Sequence, residues 1–138
     1  MAKKSYIVTK DSSANYKSLH ILEKKGLIII SKVKIENEVK KIKKVYLPTA
    51  VFGHTKFGES IFGSEKQAEN FEKIKQIIGP NNIKDAILVS THIREGNDFC
   101  VTEDTDILSN KEILEKTFLG LRISHPNKLL EEIENINV

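Results

Sequence analysis

The stretch that decides the fold is residues 83–106, IKDAILVSTHIREGNDFCVTEDTD. Its first half carries apolar residues at helical spacing, and Gly96 stands where a helix is commonly closed. The compact apolar run Phe99-Cys100-Val101 is typical of a strand that is buried on both faces of a parallel sheet. The stretch therefore predicts a helix, a glycine turn and a short buried strand.

Acidic residues follow this strand directly. Asp104 and Asp106 come at its carboxyl end, which is where open α/β sheets bind their ligands. Asp85 lies in the first turn of the preceding helix and could return to the same edge. Three carboxylates that converge repel one another unless a cation lies among them. The segment is therefore a candidate metal site.

The composition describes one soluble globular domain. The chain has 138 residues, of which 39% are hydrophobic and 30% charged, enough for a single core. No apolar run approaches the roughly 20 residues that cross a bilayer, and no secretory segment follows the first residues. Cys100 is the single cysteine, which excludes an internal disulfide. We therefore expect a cytoplasmic protein with no membrane contact, in which Cys100 fills the core.

The charge is distributed unevenly along the chain. Residues 1–46 hold 12 lysines and four acids, whereas residues 47–138 hold ten basic and 15 acidic residues, and the net charge is +3. A basic half beside an acidic half suggests a polyanion contact next to a cation site. Solvated helix faces in a lysine-rich chain are the alternative explanation.

Strands and helices alternate along the whole chain, which favours an α/β fold with a parallel sheet covered on both faces. Residues 46–64 interrupt the pattern with glycine, proline and spaced phenylalanines, so they predict a loop-rich connector or a surface that stacks the bases of single-stranded nucleic acid. The predicted strands are residues 6–9, 27–31, 99–101 and 121–124, and the predicted helices are residues 19–25, a segment from residue 33 onward, and residues 65–78, 83–95, 110–118 and 128–136.

Two further acids fall at equivalent places. Asp11 ends the first strand, and Ser12 or Ser13 after it could cap the following helix. Glu38 lies on the apolar face of its predicted helix, where a carboxylate needs a partner, whereas Glu36 is placed to pair with Lys40.

The acids together suit one or two Mg²⁺ or Mn²⁺ ions, because these hard cations prefer oxygen ligands. The chain contains no phosphate-cradling glycine motif, serine–histidine elbow or dinucleotide fingerprint. The candidate metal and catalytic residues are Asp11, Glu38, Asp85 and Asp104, with Asp106 as a further metal ligand.

These motifs resemble the PIN domain family. The specific part is Asp85-Ala86 opening a helix, followed by an apolar strand that ends in the pattern Thr-x-Asp-x-Asp at residues 102–106. Residues 21–39 are similar to the family's first helix, second strand and acid-bearing helix. Residues 121–130 are similar to its last strand and the proline-started helix that follows.

The resemblance implies a single three-layer α/β/α domain over residues 1–138, with a central parallel sheet of about five strands. It also implies a Mg²⁺- or Mn²⁺-dependent endoribonuclease of the VapC toxin type, with an antitoxin protein and a second copy of the chain as partners. Asp85 and Asp104 match the family's acids, Glu38 matches with a one-residue difference in spacing, and Asp11 departs from the pattern because Thr9 and Lys10 intervene.

The leading hypothesis is hydrolysis of RNA phosphodiester bonds through a carboxylate-bound metal, with the basic half contacting the RNA backbone. One alternative is a non-catalytic PIN-like module that binds RNA or a partner protein through an incomplete site, and another is a regulatory α/β domain with solvated acids. Supporting residues are Thr102, Ser12 and Glu36, and the candidate RNA contacts are Lys10, Lys40, Lys43 and Lys44.

Overall fold

A computed structural model describes residues 5–33, 44–46 and 65–136. Parallel strands alternate with helices, which confirms the predicted α/β class. The elements are β1 (Tyr6–Lys10), α1 (Tyr16–Lys24), β2 (Ile28–Val33), β3 (Lys44–Tyr46), α2 (Glu65–Ile78), α3 (Ile83–Glu95), β4 (Phe99–Val101), α4 (Thr105–Leu108), α5 (Lys111–Thr117), β5 (Ile123–Ser124) and α6 (Leu129–Ile136).

The strands pair in the order β3-β2-β1-β4-β5, and every pairing is parallel. β1 therefore lies between β2 and β4. Val8 of β1 is level with Ile30 on one side and with Phe99 on the other. This register brings the carboxyl ends of β1 and β4 together at one edge of the sheet.

A separate hydrophobic cluster covers each face of the sheet, because alternate strand residues point to opposite faces. Val8, Ile30 and Phe99 pack with residues of α1 and α6. Cys100 and Ile123 pack with residues of α2, α3 and α5 on the other face. Cys100 is fully buried, as expected of a core residue.

Polar side chains line part of the α3 face of the sheet. Thr9 Oγ1 lies 2.7 Å from Nδ1 of His92, and it accepts a hydrogen bond from Nδ2 of Asn97 at 2.9 Å. Asn97 Nδ2 also reaches Ser31 Oγ at 3.4 Å. All four residues are buried, so this network fixes α3 and the turn after it against β1 and β2.

Several local expectations need correction. The N-cap of α1 is Asn15, whose side chain accepts from the backbone N–H groups of Lys17 and Ser18, not Ser12 or Ser13. Ile21 of α1 is exposed, and Leu19 and Leu22 form the buried side of this helix. β2 continues to Val33, where a helix was predicted to begin.

Two short elements are additional to the prediction. They are β3, which pairs with the end of β2, and the four-residue helix α4. Ala68 of α2 is exposed, while Phe71, Ile74 and Ile78 form its buried side. Within the described residues, no helix has the length and apolar character that crossing a membrane requires.

Candidate metal centre

The site lies where the chain leaves the central strands in opposite directions. β1 is followed along the chain by β2 on one side, whereas β4 and β5 lie on the other side. Such a switch point opens a crevice outside the carboxyl ends of the strands. Asp11 immediately follows β1, and its N–H donates to the carbonyl of Val101, the last residue of β4, at 2.9 Å.

Helix α3 brings the second acid to this crevice. The helix connects into β4, so its first turn lies at the carboxyl edge of the sheet, and Asp85 is its third residue. The helix ends at Gly96, whose φ of 66° is the left-handed conformation that glycine adopts without strain. The acid and the helix stop thus occur at the places that the sequence predicts.

Three carboxylates converge at this point. Asp11, Asp85 and Asp104 each contribute an oxygen, and the three oxygens all lie within 4.8 Å of one another. Asp11 is buried, whereas Asp85 and Asp104 are partly exposed. The departure from the family pattern at Thr9 and Lys10 does not displace Asp11, because both residues belong to β1 and Asp11 still follows the strand.

Two hydroxyl groups hold Asp11 in place. Thr102 Oγ1 donates to Asp11 Oδ2 at 2.7 Å, and Ser13 Oγ donates to the same oxygen at 2.7 Å. The two hydroxyl oxygens are 3.2 Å apart. Because both bonds fall on Oδ2, neither occupies Oδ1, and the carboxylate is oriented as outer partners orient a metal ligand.

Thr102 also positions Asp104. Its Oγ1 accepts the backbone N–H of Asp104 at 2.9 Å. Asp104 in turn is the N-cap of α4, since its Oδ1 accepts the backbone N–H of Asp106 at 2.8 Å. A single threonine side chain therefore links two acids of the cluster that are 93 positions apart in the sequence.

The negative charges of the cluster are poorly compensated. Burial, together with the charges of Asp104, Asp11 and Asp106 and a hydrogen bond with the Asp104 side chain, raises the pKa of Asp85 to about 7. Near neutral pH the metal-free cluster thus keeps a proton on Asp85 for much of the time. A divalent cation would replace that proton and remove the repulsion.

The residues present fit Mg²⁺ or Mn²⁺. All three converging groups are carboxylates, and small hard cations take oxygen ligands while retaining several waters. His92, the buried histidine of α3, belongs to the network with Thr9 and takes no part in the acidic group. A softer metal would need nitrogen or sulfur donors, which this group does not offer.

The other predicted site residues lie elsewhere. Asp106 is exposed and acts on Asp85 by its charge, without joining the group of three. Ser12 is exposed, and Ser13 is the serine that bonds Asp11. Lys10 borders the cluster, with Nζ donating to the carbonyl oxygen of Asp11 at 3.0 Å. Outside the described residues lie Glu36, Glu38, Lys40, Lys43 and the side chain of Lys44 in β3.

Sequence reasoning did not single out Ser13 as a partner of Asp11, or Glu103. Glu103 lies between Thr102 and Asp104, and its backbone N–H donates to Ser13 Oγ at 3.0 Å. The contact of Ser13 could have been predicted in part, because a serine two residues after an aspartate commonly hydrogen-bonds to its carboxylate. The hydrogen bond from the backbone N–H of Glu103 to Ser13 Oγ could not be predicted from local spacing, because the two residues are far apart in the sequence.

Replacing Thr102 by valine should weaken the site without changing its ligands. Thr102→Val keeps the side-chain volume but removes the hydroxyl that orients Asp11 and accepts from Asp104. We expect Mn²⁺ affinity to fall at least about tenfold and the free energy of unfolding to fall by about 1–3 kcal/mol. Calorimetric Mn²⁺ titration and urea unfolding measure the two effects.

Thr102→Ser is the matched control, because it keeps the hydroxyl and should stay within about threefold of the wild-type affinity, below the range that losing an outer partner produces. A Thr102→Val variant with wild-type Mn²⁺ affinity would contradict the role given to the hydroxyl.

Comparison of the chain with protein-family models, with curated proteins and with solved structures found no match.

Proposed function

We propose that the protein is a Mg²⁺- or Mn²⁺-dependent endoribonuclease with a PIN-like, three-layer α/β/α domain and a sheet of five parallel strands. The observation that carries the proposal is the convergence of Asp11, Asp85 and Asp104 at the switch point of the sheet. The acids come from three separate segments, so their meeting is a property of the fold and not of one acidic run. The resemblance of residues 83–106 to the PIN pattern supplies the reaction class.

The residues divide the work between holding the cation and controlling protons. Asp11 and Asp104 are held by Thr102 and offer oxygen ligands, while Asp85 exchanges its proton for the cation. A divalent ion bound there would activate water for attack on a phosphodiester and neutralise charge on the phosphate. Once its proton has left, Asp85 would complete the set of oxygen ligands.

The RNA backbone would approach from the basic side of the site. Lys10 borders the acidic cluster, and residues 1–46 carry the excess of lysine. Contacts between lysines and phosphates release counterions, so binding would weaken steeply as salt is added. As in the family it resembles, the chain would act as the toxin of a toxin–antitoxin pair, with an antitoxin protein as its inhibitor.

Mn²⁺ titration of the wild type and of Asp104→Asn tests the proposal directly. We expect the wild type to bind Mn²⁺ and Asp104→Asn to bind at least about tenfold more weakly. Because the pKa of Asp85 is raised to about 7, Mn²⁺ binding should release protons at pH 7, and this release should decline at higher pH. Calorimetry in two buffers of different ionisation enthalpy measures the protons released.

Glu112→Gln is the charge-matched control, since Glu112 is an exposed residue of α5. If the wild type binds RNA in a salt-sensitive way but shows neither Mn²⁺ binding nor cleavage, the nuclease proposal fails and a non-catalytic RNA-binding module takes its place.

A further inference from the structure

Glu103 stands between two residues of the metal centre but turns its carboxylate away from it. Oε2 accepts the backbone N–H of Asn15, the N-cap of α1, at 2.8 Å. Oε1 lies 3.5 Å from Nε2 of His125, the residue that follows β5. Neither oxygen belongs to the group formed by Asp11, Asp85 and Asp104. The side chain therefore connects the ends of three strands without being a metal ligand itself.

His125 is oriented to serve this connection. Its Nδ1 accepts the backbone N–H of Asn127 at 3.0 Å, so the ring proton of neutral His125 is on Nε2, the atom that faces Glu103. The imidazole is thereby fixed to the turn that precedes α6. Glu103 thus has a partner on each side: it accepts the N–H of Asn15 in the loop after β1, and its other carboxylate oxygen faces Nε2 of His125 in the loop after β5.

Glu103 is linked to the acidic cluster on both sides. Its backbone N–H donates to Ser13 Oγ at 3.0 Å, and Ser13 Oγ in turn donates to Asp11 Oδ2 at 2.7 Å. Asp104 is bonded covalently to Glu103, so any shift of Glu103 moves Asp104. Anchoring Glu103 to Asn15 and His125 keeps Asp104 beside Asp11 before a cation arrives.

We infer that Glu103, braced by His125, is a positioning residue that presets the spacing of Asp104 and Asp11 for a divalent cation. The inference rests on the proposed function, in that it takes the three acids to be cation ligands. Preset ligands bind a metal more tightly because less of the binding energy is used to order them. Glu103 should therefore control how tightly the cation binds and leave the chemistry of the loaded site unchanged.

The test is Mn²⁺ affinity, measured by calorimetry on the full chain, together with cleavage rate as a function of Mn²⁺ concentration. Glu103→Ala should lower Mn²⁺ affinity about tenfold, as the loss of an outer partner does. At saturating Mn²⁺ its maximal cleavage rate should return to the wild-type value. His125→Phe, which leaves the bonds of Thr102 and the Asn15 contact in place, should show the same behaviour with a smaller loss.

Two further variants distinguish the positioning effect of the Glu103 side chain from the effect of its negative charge. Glu103→Gln loses the charge but keeps an oxygen for the N–H of Asn15, so it should retain more affinity than Glu103→Ala. Glu112→Ala removes an exposed charge on α5 and should leave Mn²⁺ affinity unchanged. If Glu103→Ala does not fold, as judged by circular dichroism, His125→Phe and Glu103→Gln decide the question.

The outcomes are distinct. Wild-type Mn²⁺ affinity in Glu103→Ala, or in His125→Phe where Glu103→Ala fails to fold, overturns the inference and leaves the proposed function standing. A cleavage rate that stays low at saturating Mn²⁺ also overturns it, because Glu103 would then act in the chemical step. Equal losses in Glu103→Gln and Glu103→Ala assign the effect to charge and overturn positioning. Absence of Mn²⁺ binding in the wild type removes the proposed function and this inference together.

Discussion

Asp85→Asn should abolish Mn²⁺-dependent cleavage of single-stranded RNA, with a loss of at least about 100-fold, the upper range seen when metal-site partners are removed. The substitution preserves the shape of the side chain but replaces one of the three converging carboxylates by an uncharged amide, so the cluster loses a negative charge that would attract the cation. Cleavage of a mixed RNA pool at several Mn²⁺ concentrations measures the effect. Glu112→Gln, with its charge change on exposed α5, should cleave like the wild type.

The same variant should be more stable than the wild type when no metal is present. Asp85 lies among like charges, so an uncharged amide relieves repulsion at pH 7.5. After allowance for screening at this partly exposed site, the gain is about 1 kcal/mol. Urea unfolding in EDTA measures it. A variant that is inactive yet stabilised cannot owe its inactivity to misfolding, whereas undiminished Mn²⁺-dependent cleavage would refute the assignment of Asp85.

His92 should make the metal-free protein lose about 3 kcal/mol of stability as the pH falls from about 6.5 to about 4. Burial lowers the pKa of His92 to about 4, against the partly opposing charge of Asp98. Between these pH values His92 is protonated in the unfolded chain but not in the folded protein. The stabilisation is therefore complete above pH 6.5 and is lost as the pH falls through 4.

Protonation of Asp85 changes the stability in the opposite direction, and it would mask part of the pH dependence caused by His92. Its pKa is raised from 3.8 to about 7 on folding, so its contribution favours the folded state at low pH and is lost as the pH rises toward 7. The free energy of unfolding should therefore be measured on the Asp85→Asn variant, by urea unfolding in EDTA from pH 4 to 7. Adding His92→Gln should flatten the curve, and an unchanged slope would show that His92 is not the responsible group.

The central part of the chain was predictable because its signals are local and mutually consistent. A helical period, a glycine at a left-handed position and a three-residue apolar run define α3 and β4. The rule that parallel strands present ligands at their carboxyl ends then predicts that Asp85 and Asp104 meet. Asp11 was also placed at the end of the first strand, although the strand was predicted to stop at Thr9 and β1 in fact continues through the polar residue Lys10.

The remaining features depend on contacts that no local pattern reveals. Thr9 and Ser31 are buried strand residues whose polarity is explained by His92 and Asn97, far along the chain. β3 has three residues and α4 has four, which is too short for a period to emerge. Ser13 Oγ lies 3.2 Å from Thr102 Oγ1, a contact between residues 89 positions apart. Glu38, predicted as a further ligand, lies outside the described residues.

The order in which the metal centre's parts occur along the chain has a consequence for protein synthesis. Asp11 is synthesised first, and Asp85, Thr102 and Asp104 follow it by 74 or more residues. β1 can pair with β2 long before β4 exists to complete the crevice. A nascent chain therefore cannot assemble the acidic cluster until residue 104 has been added, and a fragment truncated before that residue would lack the cluster altogether.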